Sequence, residues 1–574
     1  MKIRYKIICV LLVVAFVLSV PVIAGAAEID NASLSLKNDS TAVISADYNT
    51  VGTKLEPESS LPSSYSSLDL GYTTPVRMQL YNTCWAYSSS ATFETFLLKN
   101  KENTPILSPM HMNYFGIKKK DGTGWQREYN DGGYAYISMG YLTSWSGVRP
   151  ESEFPYNIDR SQYEAYDKTS HSIFLADSII YLKQNDIETI KTAIYNYGAI
   201  VGNYHADNQY LNYDTSAFYC NVPGIETSKL LGHAVSVVGW DDNYSKDNFL
   251  KTAQPKNNGA FLCKNSWSDM WGKNGYFWIS YEDLYIFDKR FGSSYAISSY
   301  EKPDDRVKMY QNEVDGATYE FSYINNIENE RLQKPFFDEI TYVSVFDYDS
   351  KHNTVDKVKF ESQSIGSTYN IYYIPLDKEN VPITDKQEWT KLSSGTITYS
   401  GYHCIDVDDF KVGVGKSAIG VELVREKDQD DNYTDISIGC DEWLNSSGVR
   451  LFTPKTKKGD CYIIGMEDYA YELLDFYKEN LDDDIGSTFV IKAVAREALK
   501  MGDVDKDGEL TIIDATYIQA ALAQIRTLDK EQTRVADMDG DKAVTVVDAT
   551  MIQKILAGII PNPYEEEQEF NPDF

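Results

Sequence analysis

The chain has 574 residues and a net charge of −31 with histidine neutral, a balance that repels polyanions and so excludes nucleic acid and anionic membrane surfaces as partners. Aromatic residues make up 13% of it, 44 of them contributed as tyrosine, which excludes a disordered acidic protein and supplies material for buried cores. At roughly 150 residues per domain the length allows about three or four domains, and the motifs mark three.

Residues 1–26 open with Lys2, Arg4 and Lys6, continue through an apolar stretch and end on Ala24-Gly25-Ala26. That order of charge, apolar run and small-residue site predicts a secretory signal, hence an extracellular protein. No later segment is apolar enough to span a bilayer. Residues 27–60 are rich in Ser, Thr, Asn and Asp and read as a linker or short pro-segment. A folded domain is expected from Leu61-Pro62-Ser63-Ser64-Tyr65 onward.

Three separated motifs follow. Cys84 lies in Asn82-Thr83-Cys84-Trp85-Ala86-Tyr87-Ser88 and opens a predicted helix. His233 lies in Gly232-His233-Ala234-Val235, within an apolar strand that ends Val238-Gly239-Trp240-Asp241. Asn265 lies in Lys264-Asn265-Ser266-Trp267, ahead of Trp271-Gly272 and Asn274-Gly275-Tyr276. A thiol at its free pKa is mostly protonated near neutrality, so a cysteine nucleophile needs a basic imidazole and the positive end of a helix. Cys84 and His233 are therefore expected to form an ion pair.

This ordered text, with His and Asn about 130 to 150 residues or somewhat more beyond the Cys, resembles the papain-like cysteine peptidases over roughly residues 61 to 290. The resemblance implies a two-lobed α+β domain over 61–298, protein or peptide substrates and no catalytic cofactor. It implies that Asn265 orients the imidazole, that Trp267 shields their contact, and that Gln79 joins the Cys84 amide as an oxyanion donor. Gly132, Gly133, Ala234 and Trp267 would line the substrate cleft. Two departures stand out. The usual Gln-Gly-Ser-x-x-x-Cys is replaced by the shorter Gln79-Leu80-Tyr81-Asn82-Thr83-Cys84, and the usual Cys-Asn-Gly-Gly by Asn130-Asp131-Gly132-Gly133.

Seven cysteines include Cys9 in the leader and the Cys84 nucleophile, leaving an odd, scattered set that predicts no disulfide scaffold. Between 299 and 496, alternating Tyr-rich and β-branched runs such as Tyr369-Asn370-Ile371-Tyr372-Tyr373-Ile374 predict short strands and a β-sandwich. This stretch resembles the lectin-like domain that follows some bacterial papain-like peptidases, which would make carbohydrate a possible partner. A structural spacer is the alternative.

Residues 501–560 hold a repeat at an offset of 34 residues, each copy a loop followed by a helix. Asp503, Asp505, Asp507 and Asp514 fall at loop positions 1, 3, 5 and 12, as do Asp537, Asp539, Asp541 and Asp548. Carboxylates at that spacing converge on one hard cation, so two Ca²⁺ sites are expected, with Thr511, Thr545 and the carbonyls of Glu509 and Ala543 as further ligands. Ile518, Leu522 and Ile525, then Ile552, Leu556 and Ile559, have helical spacing and predict a shared core.

The duplicated loop and helix at the C-terminus resemble a type I dockerin, a small all-α module. That implies a cohesin partner on a scaffoldin and residence in a cellulosome, with Ile512, Ile513, Val546 and Val547 at the docking face. Packing of those residues inside the module is the alternative. An acidic tail, 561–574, closes the chain. The chain thus reads as a secreted, dockerin-borne cysteine peptidase, with a catalytically poor peptidase-like binding module as the competing reading.

Overall fold

The computed structural model describes residues 52–564 and Val43–Ser45, apart from 156–171, 303–305, 323–337, 428–433, 466–468, 481–485 and a few single positions. The leader read over 1–26, most of 27–60 and most of the acidic tail lie outside these residues. Among the described residues no helix is long and apolar enough to cross a membrane. The chain forms two compact units, one of Met1–Asp349 with Val355–Ala495 and one of Ser350–Thr354 with Arg496–Phe574.

The first unit is organised around the helix Cys84–Lys99, in which every residue from Trp85 to Leu97 is buried. A helix apolar on one stripe only would sit at a surface; one covered on all sides must satisfy its polar groups internally. Ser89 Oγ donates to the Trp85 carbonyl at 2.6 Å and Thr95 Oγ1 to the Ala91 carbonyl at 2.8 Å. Helices Pro109–Phe115 and Ala135–Thr143 pack beside it. Opposite lies an antiparallel sheet in which Gly232–Asp241 sits between Ile200–His205 and Ala260–Lys264. Strand Ser64–Ser66 joins Gly232–Asp241 where Gly239 leaves room, since a Cβ there would lie 2.3 Å from the Tyr65 carbonyl oxygen.

That sheet does not end with the expected peptidase lobe. It continues through Tyr295–Glu301 and Leu175–Tyr181 into Gly401–Lys411, Thr354–Ser362, Ile491–Arg496 and Val307–Gln311, making 13 strands in all. A six-stranded sheet that includes Glu339–Tyr348, Thr368–Ile374 and Gly415–Val424 packs on the latter part, and both contribute to one core. The sandwich expected over 299–496 is present, but one of its layers is shared. Buried ion pairs mark the shared region: Lys359 Nζ lies 2.6 Å from Asp177 and Lys492 Nζ lies 3.0 Å from Glu313.

The second unit carries helices Ile512–Leu522 and Val546–Leu556, which pack together, and a short helix Lys530–Ala536 that repeat spacing did not predict. Ile518 and Ile552 are fully buried, as expected. Leu522, Ile525, Leu556 and Ile559 are not: they are 43–79% exposed. The core closes instead with Val504, Val535 and Met538, so the helices bury one shorter stripe than their periodicity suggested.

Candidate active site

Cys84 is the first residue of its helix, half-buried, and the helix N-cap Thr83 makes no side-chain cap. The helix N-terminus therefore keeps N–H groups for the sulfur. Burial pushes the Cys84 thiol up, while the N–H groups of Ala234, Trp85 and Cys84 itself pull it down. His233 is 6% exposed, at the start of its strand. Asn265 Oδ1 accepts from the Ser266 amide at 2.7 Å and lies 2.9 Å from His233 Nε2. An oxygen already acting as acceptor requires Nε2 to donate, which leaves Nδ1 as the basic nitrogen. The Trp267 ring lies 4.5 Å from the imidazole at 33°, and Tyr204 meets it edge-on from across the sheet.

Burial pulls His233 down to about 4, against the Asn265 hydrogen bond that raises it. Burial thus acts on both groups in favour of their neutral forms, against the helix-end N–H groups on the sulfur and the Asn265 contact on the imidazole.

Gln79 is tied to Ser266, the residue after Asn265, rather than left loose. Its amide donates to the Ser266 carbonyl at 2.8 Å, Ser266 Oγ donates to its Oε1 at 2.5 Å, and its Nε2 donates to the Tyr81 carbonyl at 2.9 Å. One Nε2 hydrogen is thereby engaged within the shortened loop. Gly133 lies against Trp85, whose ring a Cβ would strike at 2.4 Å, and the Gly132 carbonyl accepts from Arg127 at 2.8 Å. Gly133 is thus brought against the residue that follows Cys84, with Gly132 next to it in the chain.

In the second unit, one carboxylate oxygen from each of Asp503, Asp505 and Asp507 lies within 4.8 Å of the others, and the same holds for Asp537, Asp539 and Asp541. Asp503 Oδ1 is buried without a partner, and burial followed by the Asp514 charge pushes its carboxyl up. A hard cation relieves both penalties, so these residues fit calcium. Asp514 and Asp548 stand behind the clusters, each accepting a loop amide at 2.7 Å. The Thr511 and Thr545 hydroxyls cap the following helices in capping boxes with those same aspartates. The Glu509 and Ala543 amides donate to Asp507 and Asp541 at 2.9 and 2.8 Å. Ile512, Ile513, Val546 and Val547 are 49–62% exposed, which excludes the alternative that they pack inside the module.

Residues 61–291 match the model of the papain family cysteine protease. The solved structure of the cysteine protease and lectin-like domains of Cwp84, a surface layer associated protein of Clostridium difficile, is 30% identical. The match covers 78% of this chain and 91% of that one, with a TM-score of 0.66. The chain belongs to the papain family of cysteine peptidases.

A second clostridial Cwp84 structure, after propeptide cleavage, is 31% identical over 76% of this peptidase and all of that chain, with a TM-score of 0.64. Mexicain of Jacaratia mexicana is 28% identical over 38% of this chain and 86% of its own length. Cathepsin K of Mus musculus is 25% identical over 38% of this chain and 60% of its own length. Residues 310–464 match a lectin like domain and residues 501–557 a dockerin type I domain.

One group near the peptidase site escaped the sequence reading. Glu94, fully buried on the Cys84 helix, pairs with Arg77 at 2.9 Å and accepts from the Leu107 amide at 2.8 Å. Lys264, next to Asn265, donates to the Thr74 carbonyl at 2.8 Å, and burial pulls it down to about 8. A small cavity is lined by Arg77 and Lys264 of this network together with Ala234, Asn265 and Ser266. A lysine before the motif asparagine signalled nothing by type alone, because its partners are distant in sequence.

Proposed function

We propose that this peptidase is secreted and hydrolyses peptide bonds through Cys84 as nucleophile, His233 as base and then acid, and Asn265 as the positioning residue. The observation that carries this reading is the 2.9 Å contact of His233 Nε2 with Asn265 Oδ1, beside a cysteine at a helix N-terminus. Nδ1 takes the thiol proton as sulfur attacks the carbonyl carbon, and returns it to the leaving amine as the acyl-enzyme forms. Water then attacks the thioester with His233 again as base. The oxyanion receives the Cys84 amide and the remaining Gln79 Nε2 hydrogen. Trp267 keeps water from the His233–Asn265 contact.

The C-terminal module we assign to docking on a cohesin of an extracellular assembly. Asp503, Asp505, Asp507 and Asp514, and their counterparts Asp537, Asp539, Asp541 and Asp548, would hold two calcium ions, which supply the charge that closes each loop. Ile512, Ile513, Val546 and Val547 then offer an exposed apolar face of the kind a partner covers.

Comparing Cys84→Ala, His233→Ala and Asn265→Ala with the parent on casein tests the catalytic part. The first two are expected to lose at least about 1,000-fold in kcat/KM, and equal activity in all four would refute it. Cohesin capture by the full chain, abolished by a calcium chelator and by Ile513→Asp with Val547→Asp, tests the docking part.

A further inference from the structure

One hairpin of the lectin-like part leaves the sandwich as an arm. The arm starts from Ser437–Glu442, which pairs with Tyr319–Ser322 and Ser487–Phe489, and ends at Cys461–Ile464, which pairs with Glu339–Tyr348. Between these anchors, Leu444–Ser446 and Val449–Thr453 pair with each other. Val449–Thr453 also pairs with Gly124–Trp125 of the peptidase part, Phe452 opposite Trp125 and Thr453 opposite Gly124. The Gln126 amide donates to the Leu451 carbonyl at 2.8 Å. Phe452 is fully buried and meets the Trp125 ring edge-on at 5.1 Å.

From Trp125 the peptidase chain runs on to the two glycines expected in the cleft. Arg127 donates through Nε to the Gly132 carbonyl at 2.8 Å, and through its other nitrogens to the Gly116 carbonyl and Asn113 Oδ1, both at 2.9 Å. Its guanidinium lies 5.1 Å from the centre of the Trp85 ring, against which Gly133 also packs. Asn82, two residues before Cys84, donates to the Asn130 carbonyl at 3.1 Å, and Tyr81 meets Tyr129 edge-on at 5.2 Å. Segment 127–133 is thus held on one side by the residues that flank Cys84 and joined on the other, through Trp125, to the hairpin. A strand pairing and a buried ring contact fix backbone that a loop alone would leave free.

We propose that this hairpin positions the cleft wall, with Phe452 as the positioning residue: it sets where Arg127 holds Gly132 and Gly133 relative to Cys84, and thereby how tightly peptide binds. This rests on the peptidase reading and on those glycines lining the cleft. The lectin-like part is then a component of the substrate site rather than a spacer. A wall that holds substrate and transition state alike acts on KM and leaves kcat in place.

The test compares full-chain Phe452→Leu and Phe452→Ala with the parent. It reads kcat and KM on a peptide substrate, the rates at which Cys84 reacts with iodoacetamide and with a peptidyl epoxide, and the melting temperature. Iodoacetamide is too small to use the wall, so its rate reports the Cys84–His233 pair alone. The expected result is a KM that rises from Leu to Ala, by about 10- to 100-fold in the latter, with epoxide labelling slowed in step and kcat and the iodoacetamide rate kept. Phe452→Leu keeps most of the apolar volume, so it decides the matter if Phe452→Ala does not fold. A lowered melting temperature with KM and epoxide labelling as in the parent overturns the proposal and leaves the hairpin a stabilising contact only. A fall in kcat and in both labelling rates together at constant KM overturns it as well. No turnover and no labelling in the parent overturn the peptidase reading and this one with it.

Discussion

Burial moves Cys84 and His233 apart from the charges that catalysis needs, and the two shifts set the pH range over which the pair can work. The competent pair holds one proton, whichever atom carries it. A second proton enters as pH falls through the His233 value of about 4, and the last leaves only above the ordinary thiol value of 9.0, since burial raises Cys84. The expected kcat/KM profile is flat across neutrality, with its acid limb near 4; an acid limb near the ordinary imidazole value of 6.5 would show that burial does not act on His233 as described. Gln79 offers a second check. If its free Nε2 hydrogen meets the oxyanion, Gln79→Ala lowers kcat by about 100- to 1,000-fold. A loss in thermal stability with kcat unchanged would assign it only to holding Ser266. Cys84, His233 and Asn265 were legible because each sits in a diagnostic run of neighbours. The Glu94–Arg77–Lys264 group was not, because its meaning lies in contacts between distant segments.

At the scale of the element, the two loops solve one backbone problem in opposite ways. Positions 4 and 6 of both loops take the left-handed conformation: Lys506 and Gly508 in the first at φ +68° and +90°, Gly540 and Lys542 in the second at +74° and +70°. A lysine in that region carries a cost of roughly 1–2 kcal/mol, partly offset because glycine loses more freedom on folding. Lys542→Gly should therefore tighten calcium binding at the second loop by about twofold, read by calorimetric titration of the full chain. Weaker binding would place the Lys542 side chain among the stabilising contacts. The same elements show where periodicity misleads. Helical spacing correctly put Ile518 and Ile552 on one face, but it carries no information on how far that face is covered, so exposed Leu522 and Ile559 were read as core. The exposed pairs Ile512-Ile513 and Val546-Val547 were read by their place ahead of the loop aspartates, and that place does leave them open.

Across the first unit, the sheet shared between the peptidase and the lectin-like part makes their junction a core rather than a linker. Asp177 of Leu175–Tyr181 and Lys359 of Thr354–Ser362 are 7% and 3% exposed and paired at 2.6 Å across it. Removing one partner of such a pair leaves a buried charge, at a cost of about 3–5 kcal/mol. Asp177→Asn should thus lower the melting temperature of the peptidase and lectin-like parts as one transition. Two separate transitions with only the later part shifted would contradict a shared core. No local pattern announced this continuity, since each strand reads as an ordinary apolar run and only the pairing joins them.

The catalytic assignment is tested most directly by labelling the purified protein, under reducing conditions, with an epoxide directed at active-site thiols, then locating the adduct by peptide mass spectrometry while following peptide hydrolysis. A single adduct at Cys84, formed in step with loss of hydrolysis and absent from Cys84→Ala, is the predicted result. An adduct on another cysteine, or hydrolysis that survives full modification of Cys84, would contradict it.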